Sequence, residues 1–290
     1  MLKTDNEDYV VASDTDSIYV VFDKLVDKVF KEKQDSSRVI PFLDTVAREK
    51  IDPFIYLSYK DLHQYVNSYE QKMQMSREVI ADKGIWTAKK RYILNVHDNE
   101  GVKYKEPQLK IMGIEAVKSS TPEPCREKIK EGLKIIMNGT EKELNTFIQN
   151  FREEFMTLPP EEIAYPRSVN GLSKFSDSNQ LFAKGAPIHC KGAILYNHLI
   201  RKNKLSNKYP YILEGDKIQF INLKQPNIYQ CSSISFITSL PKELDFHKIV
   251  DYDVQFEKSF IEPLNFILQK INWMVDRSYG TQGTLEEFFV

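Results

Sequence analysis

Two apolar runs joined by a short acidic turn constrain this chain more than any other feature. Tyr9, Val10, Val11 and Ala12 lead into Ser13, Asp14, Thr15, Asp16 and Ser17; Ile18, Tyr19, Val20, Val21 and Phe22 lead out. The flanks are β-branched and aromatic, as strands prefer, and the short Asp, Thr and Ser side chains suit a turn because they bond locally to backbone. Two carboxylates at i and i+2 repel each other by about a kcal/mol at close approach in a partly screened site. A divalent cation relieves that repulsion, and oxygen ligands without His or Cys nearby favour Mg2+ over zinc. A solvated surface tip is the alternative. The nearly unbroken apolar flanks predict instead a central, buried hairpin with its tip at a cleft.

The 290 residues suffice for two domains, and a 41% hydrophobic content can fill a core. No run of ~18 apolar residues could cross a membrane, and the polar, acidic residues 1–8 do not read as a secretory signal. Cys125, Cys190 and Cys231 are widely spaced and odd in number, which fits a reducing cytoplasm and neither a zinc cluster nor a disulfide framework. Net charge is −1, yet residues 167–208 hold eight bases (Arg167, Lys174, Lys184, Lys191, Arg201, Lys202, Lys204, Lys208) against Asp177, a local excess of +7. A basic surface kept apart from an acidic site suits a protein that handles polyanions with metal ions. A solvated lysine-rich face is the plainer reading.

Along the chain, the pattern predicts a helix over 22–32 and a second over 41–66 with Pro53 as a boundary or kink. In that region Phe42, Phe54, Tyr56, Tyr59, Tyr65 and Tyr69 read as core packing. Residues 72–96 read as strands, with a turn at Gly84 and another at Asn99-Glu100-Gly101. Thr121 and Pro122 are suited to N-cap and N1 of a helix carrying Ile129, Leu133, Ile136 and Met137 and ending at Asn138-Gly139. Thr140 to Glu143 opens the next helix, which Pro159-Pro160 stops. The basic segment reads as loop-rich, residues 211–223 as a hairpin around Glu214-Gly215-Asp216, and 256–275 as helix.

The acidic turn together with Lys89-Lys90-Arg91-Tyr92 resembles the C-terminal part of a family B DNA polymerase of the T-even-type bacteriophages. Further likeness runs through residues 106–113, through Lys118-Ser119-Ser120-Thr121-Pro122 and through Pro187-Ile188-His189-Cys190-Lys191-Gly192, covering essentially the whole chain. Ser13 stands where that family usually has Gly. The resemblance implies an α+β fold: residues 1–110 the C-terminal part of a palm, an antiparallel sheet with helices, and 111–280 a mainly helical thumb with a small β region. Residues 281–290 would form a clamp-binding tail. It implies Asp16 as a direct Mg2+ ligand and Asp14 as its acidic partner, closer to the primer end or to Lys90. Two ions about 3.5–4 Å apart would serve nucleotidyl transfer. It implies DNA contact by Lys89, Lys90, Arg91 and Tyr92, of which one strand face would present at most two of the basic three. Lys118, Ser119, Ser120, Lys174, Lys184, His189 and Lys191 would contact phosphates.

The family's upstream aspartate motif, its fingers helix and its exonuclease acids are not in these residues. The expectation is therefore the C-terminal subunit of a split DNA-directed DNA polymerase, inactive without an N-terminal partner carrying exonuclease, fingers and the rest of the palm. Primer-template DNA, dNTP and a sliding clamp would be its other partners, in the host cytoplasm. Gln282, Leu285, Phe288 and Phe289 read as Gln-x-x-Leu-x-x-Phe-Phe, similar to the peptide by which polymerases hook onto sliding clamps. One helical turn would gather the three apolar residues into a plug. A non-catalytic DNA-binding and clamp-binding module is the alternative. A glycosyltransferase-like Asp-x-Asp enzyme is a remoter one.

Overall fold

The computed structural model describes residues 8–30, 35–114, 116, 118–177 and 180–277. The fold is α+β, as expected, with antiparallel sheets. The chain divides into two compact units, Met1–Met112 and Gly113–Val290.

In the first unit, β1 (Val10–Asp14) and β2 (Ser17–Val20) form a two-stranded hairpin. A short helix α1 (Asp23–Val29) follows, then α2 (Ser36–Val46), a π-helical turn at Ala47–Ile51 and α3 (Asp52–Tyr65) in one continuous run. The run starts earlier than the expected residue 41, so Pro41 lies inside it. Pro53 does not break it. A proline ring collides with the carbonyl four residues back, here that of Glu49, and the widened π turn makes the room.

Strands β3 (Val79–Ala88), β4 (Arg91–Asn99) and β5 (Val102–Met112) form a meander in that order. The expected turn at Asn99-Glu100-Gly101 is present, with Glu100 and Gly101 both at positive φ. Two strand expectations fail. Residues 72–78 are irregular, and the Arg77 side chain within them bonds Asp44 and Asp98. Gly84 lies within β3, opposite Leu94, and the turn comes later. A Cβ at Gly84 would lie 2.5 Å from the Trp86 ring, so its glycine is there for close packing. The expected burial of the aromatic residues of this region also fails for Phe54, Tyr56 and Tyr65 of α3 and for Tyr69 beyond it, which are exposed.

The second unit has two parts. Helices α4 (Glu123–Asn138) and α5 (Glu141–Phe155) are joined at Gly139 and Thr140. Pro122, not Thr121, occupies the N-cap of α4. Thr140 caps α5 in a full capping box: its hydroxyl accepts from the Glu143 N–H while the Glu143 carboxylate accepts from the Thr140 N–H. After the short α6 (Pro160–Ile163) come β6 (Tyr165–Ser168), α7 (Leu172–Phe175) and the paired β7 (Ser176–Asp177) and β8 (Leu181–Phe182).

The basic segment is less loop-rich than expected, since α8 (Ile188–Lys202) fills much of it. Strands β9 (Lys217–Asn222) and β10 (Ser233–Phe236) complete a sheet ordered β10-β9-β6. The turn at Gly215 is present, but β9 pairs with β6 and β10 rather than with residues 211–214. The C-terminal helix is α9 (Tyr252–Phe256), a second π turn at Glu257–Ile261 and α10 (Glu262–Leu268), ending earlier than the expected residue 275. Again a proline, Pro263, stands two residues beyond the end of the π turn.

The core of this unit is aromatic. Phe151 lies 4.7 Å from Phe260 and 5.8 Å from Phe155 and Phe256, centroid to centroid, in edge-on and tilted contacts. Buried Gln255 accepts from the Asn222 backbone and side-chain N–H groups and donates to the Ile163 carbonyl, so its polarity is satisfied. All three cysteines are free and buried.

Candidate nucleotidyl-transfer site and basic surface

The acidic turn has the geometry that its sequence suggests and a strain that it does not announce. Asp14 pairs with Ser17 at the mouth of the hairpin, leaving Thr15 and Asp16 as a two-residue loop. Thr15 has φ 53°, and the Asp16 N–H donates to the Asp14 carbonyl at 2.7 Å. A β-branched residue in the left-handed region is costly, by about 1–3 kcal/mol. Ser13, in contrast, is an ordinary strand residue facing Ile18. The tip holds Asp16 in solvent and Asp14 half-buried.

The hairpin is not buried, contrary to expectation. Val10, Val11 and Ile18 are 41%, 48% and 44% exposed. Among the described residues neither strand pairs with a third; Tyr19 packs against the β3–β4 hairpin, while Val10, Val11 and Ile18 stand in solvent.

Lys89 and Lys90 lie in the two-residue turn between β3 and β4, since Ala88 pairs with Arg91. The expectation that all three basic residues lie on one strand is thus corrected: only Arg91 does. Lys90 adopts φ 59° and carries its ammonium to 3.7 Å from the Asp14 carboxylate. Tyr92 is buried on β4, where its hydroxyl accepts a 2.8 Å hydrogen bond from Tyr19 of β2. Asp14, Asp16, Lys90 and Tyr92 are therefore gathered at two hairpins of one unit.

Two carboxylates with hard oxygen donors fit Mg2+ in kind. They are too few for a two-ion centre, and among the described residues no group of three His, Cys, Asp or Glu could hold a metal. Asp16 and Asp14 would be this chain's share of the ligands.

In the second unit Lys118 and Ser119 are exposed and Ser120 is half-buried. Ser119 lines a cleft of about 540 Å3 together with Thr121, Arg126, Glu161 and Glu162. Lys174 and Lys184 are exposed, with the Lys174 ammonium 5.4 Å from the Phe175 ring centroid, while Lys191 is half-buried on α8. His189, also on α8, is packed 6.0 Å from Phe220. Burial, and then the Arg167 charge, push its imidazole below the ordinary histidine value. Gln282, Leu285, Phe288 and Phe289 lie outside the described residues.

Sequence reasoning missed Tyr19, whose hydroxyl donates to Tyr92, and Trp86, which the Tyr19 ring meets edge-on. It also missed Arg77, which bridges Asp44 of α2 to Asp98 of β4. A tyrosine in a strand and an arginine in a polar stretch carry no local signal of such roles.

No protein-family model matches the chain. It is 34% identical over 277 residues to the DNA-directed DNA polymerase of Enterobacteria phage T4. It is 38% identical over 275 residues to the DNA-directed DNA polymerase of Escherichia phage RB69. Each match covers 90% of this chain and 30% of the relative, so the chain spans less than a third of the proteins it resembles. The resemblance read from the acidic turn and the Lys-Lys-Arg-Tyr segment is thereby shown.

Proposed function

We propose, on the premise of that kinship with phage DNA-directed DNA polymerases, that this chain is the C-terminal part of such an enzyme. In this reading residues 1–110 belong to the palm, residues 111–280 form the thumb, and residues 281–290 dock on a sliding clamp. Asp16 and Asp14 hold Mg2+ together with a carboxylate from an N-terminal polypeptide that also brings the exonuclease and the fingers. Bound Mg2+ would acidify the primer 3′-hydroxyl and neutralise the leaving pyrophosphate. This chain's residues hold the carboxylates at a fixed turn, with Lys90 offsetting the charge of Asp14. Lys118, Ser119, Ser120, Lys174, Lys184 and Lys191 grip duplex phosphates without reading sequence. The setting is the host cytoplasm.

The observation that carries the reading is the acidic turn with Lys90 over Asp14 in a chain of this kinship. The exposed apolar residues of β1, β2 and α3 also support it, as a surface for the completing polypeptide. The test is to mix the chain with the complementary N-terminal polypeptide, primer-template, dNTP and Mg2+. Extension is expected from the mixture, not from either part, and Asp16→Ala should abolish it. Duplex binding without any extension would leave a non-catalytic DNA- and clamp-binding module. Extension by this chain alone would overturn the split.

A further inference from the structure

An isolated two-stranded hairpin is at best marginally stable in water, and this one exposes apolar residues of both strands. Something must nevertheless hold its tip in one place if the tip is to bind ions. Two ties reach it from the β3–β4 hairpin. One is the Lys90–Asp14 pair, at 3.7 Å with the lysine mostly in solvent. Exposed pairs of this kind contribute about 0–1 kcal/mol and do not fix a direction.

The other tie is aromatic and partly buried. Tyr19 faces Ala12 across the hairpin and its ring lies 5.4 Å from Trp86 and 5.3 Å from Tyr92, edge-on and tilted. It joins the cluster of Tyr92, Leu94 and Val96 on the sheet. Its hydroxyl donates to that of Tyr92 at 2.8 Å. Gly84 leaves room for the Trp86 ring, since a Cβ there would meet it.

We propose that Tyr19 is a positioning residue: its hydrogen bond to Tyr92 and its seat on Trp86 latch the acidic turn to the β3–β4 hairpin and set where Asp14 and Asp16 stand. Tyr19 is three residues from Asp16, and Tyr92 is two from Lys90, so the bond fixes the carboxylates and their countercharge together. Burial, and next the Tyr92 bond, push the Tyr19 phenol well above the ordinary value, so it remains a donor at any physiological pH. The latch itself is a statement about this chain; its service to catalysis rests on the polymerase reading.

Amide hydrogen exchange on the full chain tests the latch directly. Tyr19→Phe and Tyr92→Phe keep both rings and delete the same bond. Each should speed exchange of the β1–β2 amides by about fivefold, the usual worth of one neutral hydrogen bond, and leave β4 and β5 unchanged. The double variant should be no faster than either single one. Unchanged hairpin exchange in the single variants, or additive effects in the double, would overturn the latch.

With the reconstituted enzyme, Tyr19→Phe should raise the Mg2+ concentration for half-maximal extension severalfold and leave primer-template affinity unaltered. A merely structural role would lower the active fraction without moving the Mg2+ midpoint, and that result rejects the positioning role. Retained extension in Asp16→Ala would instead remove the polymerase reading and leave the latch to the exchange data.

Discussion

Strands β1–β2 and strands β9–β10 are both adjacent antiparallel pairs, and the less apolar pair is the more buried. Ser233, Ile234, Ser235 and Phe236 of β10 are all buried, two serines among them, whereas Val10, Val11 and Ile18 of the first hairpin stand in solvent. The difference lies in the neighbours. β9 is flanked by β6 and β10, and α8 lies across β10. The Ser233 and Ser235 hydroxyls donate to the Ile188 and His189 carbonyls in the first turn of α8, so burying them costs no hydrogen bond. Gly192 lets α8 approach, since a Cβ there would lie 2.6 Å from the Ser235 hydroxyl. Burial follows what a strand meets, and composition only permits it.

The largest expected effect lies at the fully enclosed end of that comparison. Phe151→Ala should cost about 3–5 kcal/mol through loss of a buried ring and the cavity it leaves. Urea unfolding of a Trp86→Phe background, read at Trp273 in the same unit, measures it. Next come the two glycines that admit close neighbours. Gly192→Ala and Gly84→Ala should each cost about 1–3 kcal/mol by overpacking, seen as lower thermal midpoints. Equal tolerance of alanine at both sites would break the idea that close approach shapes either sheet.

A third test concerns acid. The hydrogen bond from Arg77 holds the Asp44 carboxyl below its ordinary value; burial opposes the guanidinium's charge, but the bonds to Asp44 and Asp98 outweigh it and the arginine stays charged. A depressed carboxyl stabilises the fold above its unfolded value, about 3.9, and that contribution disappears as pH falls through the lower folded value. The first unit, read at Trp86 in a Trp273→Phe background, should therefore weaken below about pH 4, and Asp44→Asn should flatten that dependence. The smallest effect is expected at the solvent-facing strand. Ile18→Ser should alter stability by no more than about 0.5 kcal/mol; a loss comparable to that of Phe151→Ala in the same denaturation assay would erase the contrast between the two strand pairs.

Much of the fold was legible wherever a residue announces its backbone role. The helix start at Thr140, the Glu100-Gly101 turn and the Asn138-Gly139 helix end are local chemistry and appear where expected. So does the acidic turn. The Lys89–Lys90 turn was hidden because lysine carries no preference for the left-handed φ that Lys90 adopts. Gly84 misled for the opposite reason: its freedom serves the Trp86 ring rather than a bend. α8 was hidden by Gly192, a helix-weakening residue placed for contact with β10. The Tyr19–Tyr92 bond spans 73 positions, and no local pattern encodes such a pairing.

The three enclosed thiols have a practical corollary. Burial pushes Cys125 up to about 12 and raises Cys190 and Cys231 as well. Alkylating reagents act on the thiolate, so the native protein should be almost silent to maleimides at neutral pH. An Ile18→Cys substitution would then be the preferred attachment point for a fluorophore without removing any natural sulfur, and labelled molecules could report, one at a time, how often the acidic tip lifts away.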